Sequence, residues 1–222
     1  MAKKLLLCLS ILLFTFFGNI NAQKLDWVIS AGGTGDDGNY DLVSDDSSNL
    51  YVTGWFSGSV DLNPGVGVAS FSSLGNRDAY ISKFNSQGLW QWSSVFGGFD
   101  QDEGSVITRD SSGNILVAGR FSGTVDFDPG IGVFSLTSNG DRDVYIVKYT
   151  SNGVFLWAES YGGSGYDDAE RIRVDRLGNI VVVGSFSYMA DLHPGVGFDY
   201  HTSVGSDDIY MIKLDSNGVF LW

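Results

Sequence analysis

The chain has 222 residues, 26 acidic side chains against 13 basic ones, and a formal net charge of −13. An acidic surface of that strength repels phosphate backbones, which argues against nucleic acid as a partner. Cys8 is the single cysteine, and His193 and His201 are the two histidines, so disulfides, thiol catalysis and Cys- or His-rich metal sites have little to build from.

Residues 1–22 read as a secretory signal peptide. Lys3 and Lys4 precede an apolar run from Leu5 to Phe17, and Gly18-Asn19-Ile20-Asn21-Ala22 ends in a small residue suited to cleavage before Gln23. The run is short for a membrane span of about 20 apolar residues, so no stable membrane insertion is expected after cleavage. Cys8 lies inside the run rather than at its end, which argues against a lipid anchor. The remaining chain lacks cysteine altogether and must hold together through its core. Roughly 200 residues suffice to bury a sizeable one.

From Trp27 onward the chain repeats. Trp27, Trp92, Trp157 and Trp222 are 65 residues apart, and 21 of the 65 columns are identical in three copies that align without a gap. Gly32-Gly33 recurs as Gly97-Gly98 and Gly162-Gly163. Asp61, Pro64 and Gly65 recur as Asp126, Pro129 and Gly130, then as Asp191, Pro194 and Gly195. Asp78, Tyr80 and Lys83 recur as Asp143, Tyr145 and Lys148, then as Asp208, Tyr210 and Lys213. A period of this length marks a stacked or radial array in which each unit buries its faces against its neighbours. The units run approximately over 34–98, 99–163 and 164–222, with 26–33 as the last strand of a preceding unit.

Within a unit, polar turns at 45–49, 110–114 and 175–179 open strands whose two faces are both apolar. In the second copy Ile115, Val117, Gly119 and Phe121 face one side, and Leu116, Ala118 and Arg120 the other. Further strands are expected over Asp143 to Tyr149, Val154 to Tyr161 and Glu170 to Val174. Strands apolar on both faces suit sheets packed between sheets. Four such strands per unit, with no sustained helical period, predict an all-β, β-propeller-type repeat array. A β-solenoid or a string of small sandwiches are the other architectures, but solenoid coils are shorter and a sandwich needs more than one unit.

The pattern W-x4-GG, D-x2-GN-I-x-V-x-G-x-F-S, D-x-DPG, RD-V-Y-I-x-K and NG-x3-W, clearest between Trp92 and Trp157, resembles the SBBP repeat. That is the seven-bladed β-propeller repeat of secreted bacterial proteins. The resemblance covers nearly the whole chain after the signal. It implies a propeller outside the cell or at its surface, often with a separate C-terminal sorting domain, and it implies no catalytic residues. Ordinary propellers have 4–8 blades, whereas three units are present here. The chain is therefore read as an incomplete propeller from a longer array, or as one whose N-terminal strand closes a strained ring.

Candidate sites are sparse. Gly32 to Asp37 and Gly162 to Asp167 match GGxGxD, a calcium motif when it occurs in tandem. Here the copies stand far apart and Asp100 breaks the second, so the motif reads as a turn capped by Asp37, Asp102 and Asp167. Asp61 and Asn63, and Asp126 and Asp128, offer oxygen ligands for calcium beside Pro-Gly. His193 replaces them in the third copy, and a type II turn with Pro second and Gly third accounts for all three. No metal or other cofactor is expected, calcium being the one candidate. Glu103, Glu159 and Glu170 are the only glutamates, and no catalytic pair stands out among them.

The recurring tryptophans point to packing between blades. Trp55 does not recur, its counterparts being Arg120 and Ser185, and an exposed Trp there would stack on a sugar or a partner side chain. The columns 69–74, 134–139 and 199–204 also vary, with Tyr200 and His201 as further ligand-binding candidates. The expected function is that of a secreted or cell-surface module that binds an unidentified protein or polysaccharide, or serves as scaffolding, without catalysis. The alternative is a non-catalytic fragment of a larger carbohydrate-active or other extracellular enzyme.

Overall fold

The computed structural model describes residues 27–222; the expected signal peptide lies outside them. All regular structure in the described residues is β. β1 (Gly32–Gly33) precedes the first unit, which comprises β2 (Asp37–Ser44), β3 (Leu50–Phe56), β4 (Ser59–Asp61), β5 (Ser70–Ser72), β6 (Asp78–Phe84) and β7 (Trp90–Phe96). The second comprises β8 (Glu103–Arg109), β9 (Ile115–Phe121), β10 (Thr124–Asp126), β11 (Ser135–Thr137), β12 (Asp143–Tyr149) and β13 (Phe155–Gly163). The third comprises β14 (Asp167–Val174), β15 (Ile180–Asp191) and β16 (Tyr200–Leu214).

Each unit is an antiparallel sheet in sequence order: β2-β3-β6-β7, β8-β9-β12-β13 and β14-β15-β16. A bridge between Leu214 and Phe220 begins the fourth strand of the third sheet. The first strands β2, β8 and β14 pack side by side, which is the arrangement of blades about an axis. The chain is a β-propeller-type repeat array.

The structure adds to the four-strand expectation. Each unit also carries a short hairpin, β4–β5 in the first and β10–β11 in the second. In the third it is continuous with the main sheet, where Met189, Ala190 and Asp191 pair with Thr202, His201 and Tyr200. Three-residue strands next to Pro-Gly carry too little alternation to show in sequence. The hairpin receives the diglycine of the preceding outer strand. Gly32 and Gly33 pair with Asp61 and Val60, and Gly162 and Gly163 with Asp191 and Ala190.

The recurring polar residues fix loops. Asp45, Asp110 and Asp175 each accept the amides two and four residues on, at 2.8–2.9 Å. Gly113 and Gly178 turn the chain at φ 83° and 85°, and Ser48 does so at 60°. The type II reading of the Pro-Gly loops holds only for the third copy. Gly195 has φ 78°, while Gly65 and Gly130 are absent from the positive-φ residues that turn requires. What all three loops share is the leading aspartate. Oδ1 of Asp61 accepts from the amides of Asn63 and Ala69, that of Asp126 from Asp128 and Phe134, and that of Asp191 from His193 and Asp199, all at 2.7–3.1 Å.

The core lies at the seams between units. Ala79, Ile81 and Phe96 pack with Ile107, Val117 and Tyr145 at the first seam. Leu116, Val144 and Ile146 pack with Ile172, Val182 and Ile212 at the second. The middle sheet thus buries one face against each neighbour, which explains its doubly apolar strands. The tryptophans seal the same seams. A side-chain carbon on Gly88, Gly153 or Gly218 would lie 3.0–3.1 Å from the ring of Trp27, Trp92 or Trp157. Each indole therefore lies flat on the glycine of the next unit's turn, and two donate across to it, Trp27 to Ser86 O at 3.3 Å and Trp92 to Ser151 O at 3.2 Å.

Candidate functional site

Where β8 and β14 begin, polar side chains form one connected ladder across the units. The Glu103 carboxylate on β8 is fully buried. It accepts from Arg77 at 3.0 Å, Arg120 at 2.7 Å and the Tyr40 hydroxyl at 2.8 Å. Arg120 on β9 also donates to Asp168 at 3.1 Å, and Asp168 on β14 receives Arg142 at 2.6 Å. Arg77 and Arg142 are equivalent residues, and each reaches an acid of the following unit 26 positions on. The bonds are charge-assisted, and the arginine forks fix their planes.

Electrostatics follow from this pairing. Burial pushes the Tyr40 hydroxyl up, and its hydrogen bond to Glu103 pushes it further. Burial disfavours the Arg120 cation, but Glu103 and Asp168 outweigh that and raise it overall. Glu103 thus receives three donors and Asp168 two, and both carboxylates are tied into ion pairs.

Aromatic rings flank the ladder. Trp55 lies under the Arg77 guanidinium, 3.9 Å from carbon to ring centroid, and Arg142 sits 4.7 Å over Tyr166. Tyr40 and Tyr166 are 50% and 53% exposed. Of the two rings under a cation, Tyr166 remains open to water and Trp55 is partly buried.

The other sequence candidates lie elsewhere. Tyr200 and His201 begin β16, where Tyr200 stacks on Phe198 with centroids 5.6 Å apart and His201 meets Asp199 at 3.1 Å. His201 lines a small cleft of about 200 Å³ with Phe220 and Trp222, and Trp55 does not. The structure therefore does not join Trp55 with Tyr200 and His201. Asp61 and Asp126 are occupied by their own loop amides, and Asn63 accepts from Gly65 N at 2.9 Å. Among the described residues no group of three or more His, Cys, Asp or Glu side chains is placed to hold a metal ion, Asp128 included. The His193 ring meets that of Phe220 at a tilt of 45° with centroids 4.3 Å apart, and burial pushes the Glu159 carboxyl up.

Sequence reasoning singled out the column of Trp55 and Arg120 but missed Tyr40, Arg77, Glu103, Arg142, Tyr166 and Asp168. The detectable signal was an Arg and an acid 26 residues apart in two copies, Arg77 with Glu103 and Arg142 with Asp168. It is lost in the third, where Asp207 stands in place of the arginine.

No family model matches the chain. It is similar to an uncharacterized WD repeat-containing protein of Acanthamoeba polyphaga mimivirus. The two are 32% identical over 110 residues, covering 43% of this chain and 8% of that protein. The chain thus spans less than a tenth of that relative's length. In fold, it is a propeller-type repeat array that resembles a WD repeat-containing protein over part of its sequence.

Proposed function

We propose that the chain is an exported, non-catalytic propeller module of the SBBP type that binds a protein partner at the ladder end. The observation that carries this reading is the group formed by the half-exposed Tyr40 and Tyr166 and the partly buried Trp55, with Arg77 on Trp55, Arg142 on Tyr166 and Glu103 holding Tyr40. Aromatic and arginine side chains supply most of the binding energy at protein interfaces. Rings fixed beforehand lose little freedom on binding. The relative's description as a WD repeat-containing protein supports a protein partner over a polysaccharide. Export rests on the signal-like residues 1–22.

The test is capture of partners from envelope and culture-fluid proteins, by the unaltered chain and by a Tyr40→Ala, Trp55→Ala, Tyr166→Ala variant. A partner held by the first and lost by the second supports the site. Tyr200→Ala serves as a control and is expected to retain the partner. Loss on Tyr200→Ala alone would move the site to the β16 hairpin. Retention by every variant would remove the ladder end from consideration. A glycan array probes the polysaccharide reading, and a mature N-terminus at Gln23 in the culture fluid tests export.

A further inference from the structure

Each seam between units encloses two aspartates. At the first, Asp78 opens β6 and Asp102 precedes β8; at the second, Asp143 opens β12 and Asp167 opens β14. All four are buried. Asp78 uses one oxygen to accept Leu74 N at 3.1 Å, and Asp143 uses one to accept Asn139 N at 2.9 Å and Nδ2 at 3.3 Å. The Oδ1 atoms of Asp78 and Asp143 are buried without a partner, and so is that of Asp167. Asp102 and Asp167 hold the diglycine amides, Gly98 N at 2.6 Å and Gly163 N at 2.7 Å, and Asp102 also accepts Ser122 N at 3.2 Å.

At the second seam the two carboxyls crowd one point, and at the first the charge of Asp78 acts on Asp102. A side-chain carbon on Gly162 would lie 2.5 Å from Asp167 Oδ2 and 2.8 Å from Asp143 Oδ1, and one on Gly97 would lie 2.6 Å from Asp78 Oδ1. Among the described residues none of the four carboxyls is in an ion pair. Arg77 and Arg142 precede Asp78 and Asp143 in the chain but extend to Glu103 and Asp168. The titratable groups that face the pair at the first seam are Asp100 and Tyr145. At the second they are Asp168, Tyr161 and Tyr210. Two ionised carboxylates in a dry seam repel each other and lack hydration. A metal ion would need further donors, and no third acidic or histidine side chain joins either pair among the described residues. A proton needs none.

We propose that each seam is a proton-binding site, the Asp78 and Asp102 pair holding a proton at one and the Asp143 and Asp167 pair at the other, so that neighbouring units are clamped in acid and loosened as pH rises. Shared protons are the ordinary answer of a close carboxyl pair. Burial pushes Asp78 and Asp143 up to about 6. Burial, with the neighbouring aspartate's charge adding to it, pushes Asp102 and Asp167 up to about 7. The folded chain then holds protons that the unfolded chain releases near its ordinary carboxyl value of about 4. Stability from this source is complete below about pH 4 and is lost as pH rises through about 7.

The experiment is thermal unfolding of the full chain across about pH 5 to 8.5 with a chelator present, for the unaltered protein and for Asp78→Asn with Asp143→Asn, whose amide groups can take the place of the unpartnered Oδ1 atoms. Asparagine mimics the protonated acid. The melting temperature of the unaltered chain is expected to fall by about 4 °C or more over that range, and that of the variant to stay nearly level. Asp208→Asn, in the same column as Asp78 but only half-buried, is expected to keep the unaltered slope. A level profile for the unaltered chain, or parallel profiles for chain and variant, overturns the proposal. Restoration by calcium at the alkaline end also overturns it, in favour of a cation site. Should the double variant fail to fold, infrared spectroscopy of the unaltered chain decides. A protonated-carboxyl band that persists at about pH 6 and disappears by about 8.5 is expected, and its absence at pH 6 is a refutation.

Discussion

Ile146 and Met211 occupy the same column of the repeat and have opposite surroundings. Ile146 is fully buried in the seam with the third unit, whereas Met211 is 57% exposed on that unit's outer face. Their neighbours behave alike: Val144 is fully buried and Ile209 is 90% exposed. If seams hold the array together, one truncation must cost far more than the other. Ile146→Ala removes buried methyl and methylene groups worth about 0.8 kcal/mol each in transfer. Adding the cavity left behind gives about 2–4 kcal/mol. Met211→Ala loses side-chain surface that is already more than half in water, so about 0.5 kcal/mol is expected. Urea unfolding followed by tryptophan fluorescence reads the difference. With a denaturant slope of about 2 kcal/mol/M, Ile146→Ala shifts the midpoint down by about 1–2 M and Met211→Ala by about 0.3 M or less. Equal shifts for the two variants would falsify the claim that stability resides in the seams.

Gly163→Ala would place its new carbon 2.0 Å from the Met189 carbonyl, which is backbone and cannot step aside, whereas Gly113 has open space and only its φ of 83° to strain. Calorimetry should find Gly163→Ala the costlier by about 1–3 kcal/mol, Gly113→Ala itself costing about 1 kcal/mol. Glu103→Gln leaves Arg77 and Arg120 facing a neutral group in a buried position. A loss of about 3 kcal/mol is expected, read as a melting temperature lower by about 6–12 °C, and an unchanged melting temperature would show the ladder to be energetically idle. Melting curves near pH 7 with and without a chelator are expected to coincide, since the Asp61 and Asp126 carboxylates already accept their own loop amides. A large drop on chelation would return calcium to those loops.

The repeat, the all-β class and the two-faced strands were legible because each is written in columns that recur. Ile115 and Val117 face the first unit while Leu116 and Ala118 face the third, as their alternation implied. Trp92 lies between blades, and Asp102 caps the diglycine through Gly98 N. The β4–β5 and β10–β11 hairpins were not legible, because a strand of three residues beside Pro-Gly has no period to detect. The Pro-Gly turn was misread for a related reason. Type II requires a positive φ at the glycine, but the Asp61 and Asp126 side chains set those loops instead. Most of the ladder was missed because its contacts run from one unit to the next. A column-by-column comparison tests whether copies agree, not whether Arg77 in one copy complements Glu103 in another.

That distinction separates the recurring columns from the variable ones. Residues shared by all copies build the seams: the tryptophans, the diglycines and the paired aspartates must be the same wherever one unit meets the next. A binding site on such a scaffold needs the opposite, since a partner that is not itself repeated meets equivalent positions in unequal surroundings. The column of Trp55, Arg120 and Ser185 meets this condition, and so does that of Gly38, Glu103 and Asp168. The two columns are neighbours in space, for Gly38 pairs with Trp55 and Glu103 with Arg120 across their strands. Across the second seam Arg120 reaches Asp168. In the first unit the glycine leaves room for the indole, since a side-chain carbon there would lie 2.8 Å from Trp55 Nε1. In the second, the acid and the arginine fill that space with an ion pair. One end of the array thus grades from an indole stacked under an arginine to an ion-paired cluster without disturbing the sheets beneath, so under the proposed function its selectivity would be altered by changing these columns while the seams keep their sequence.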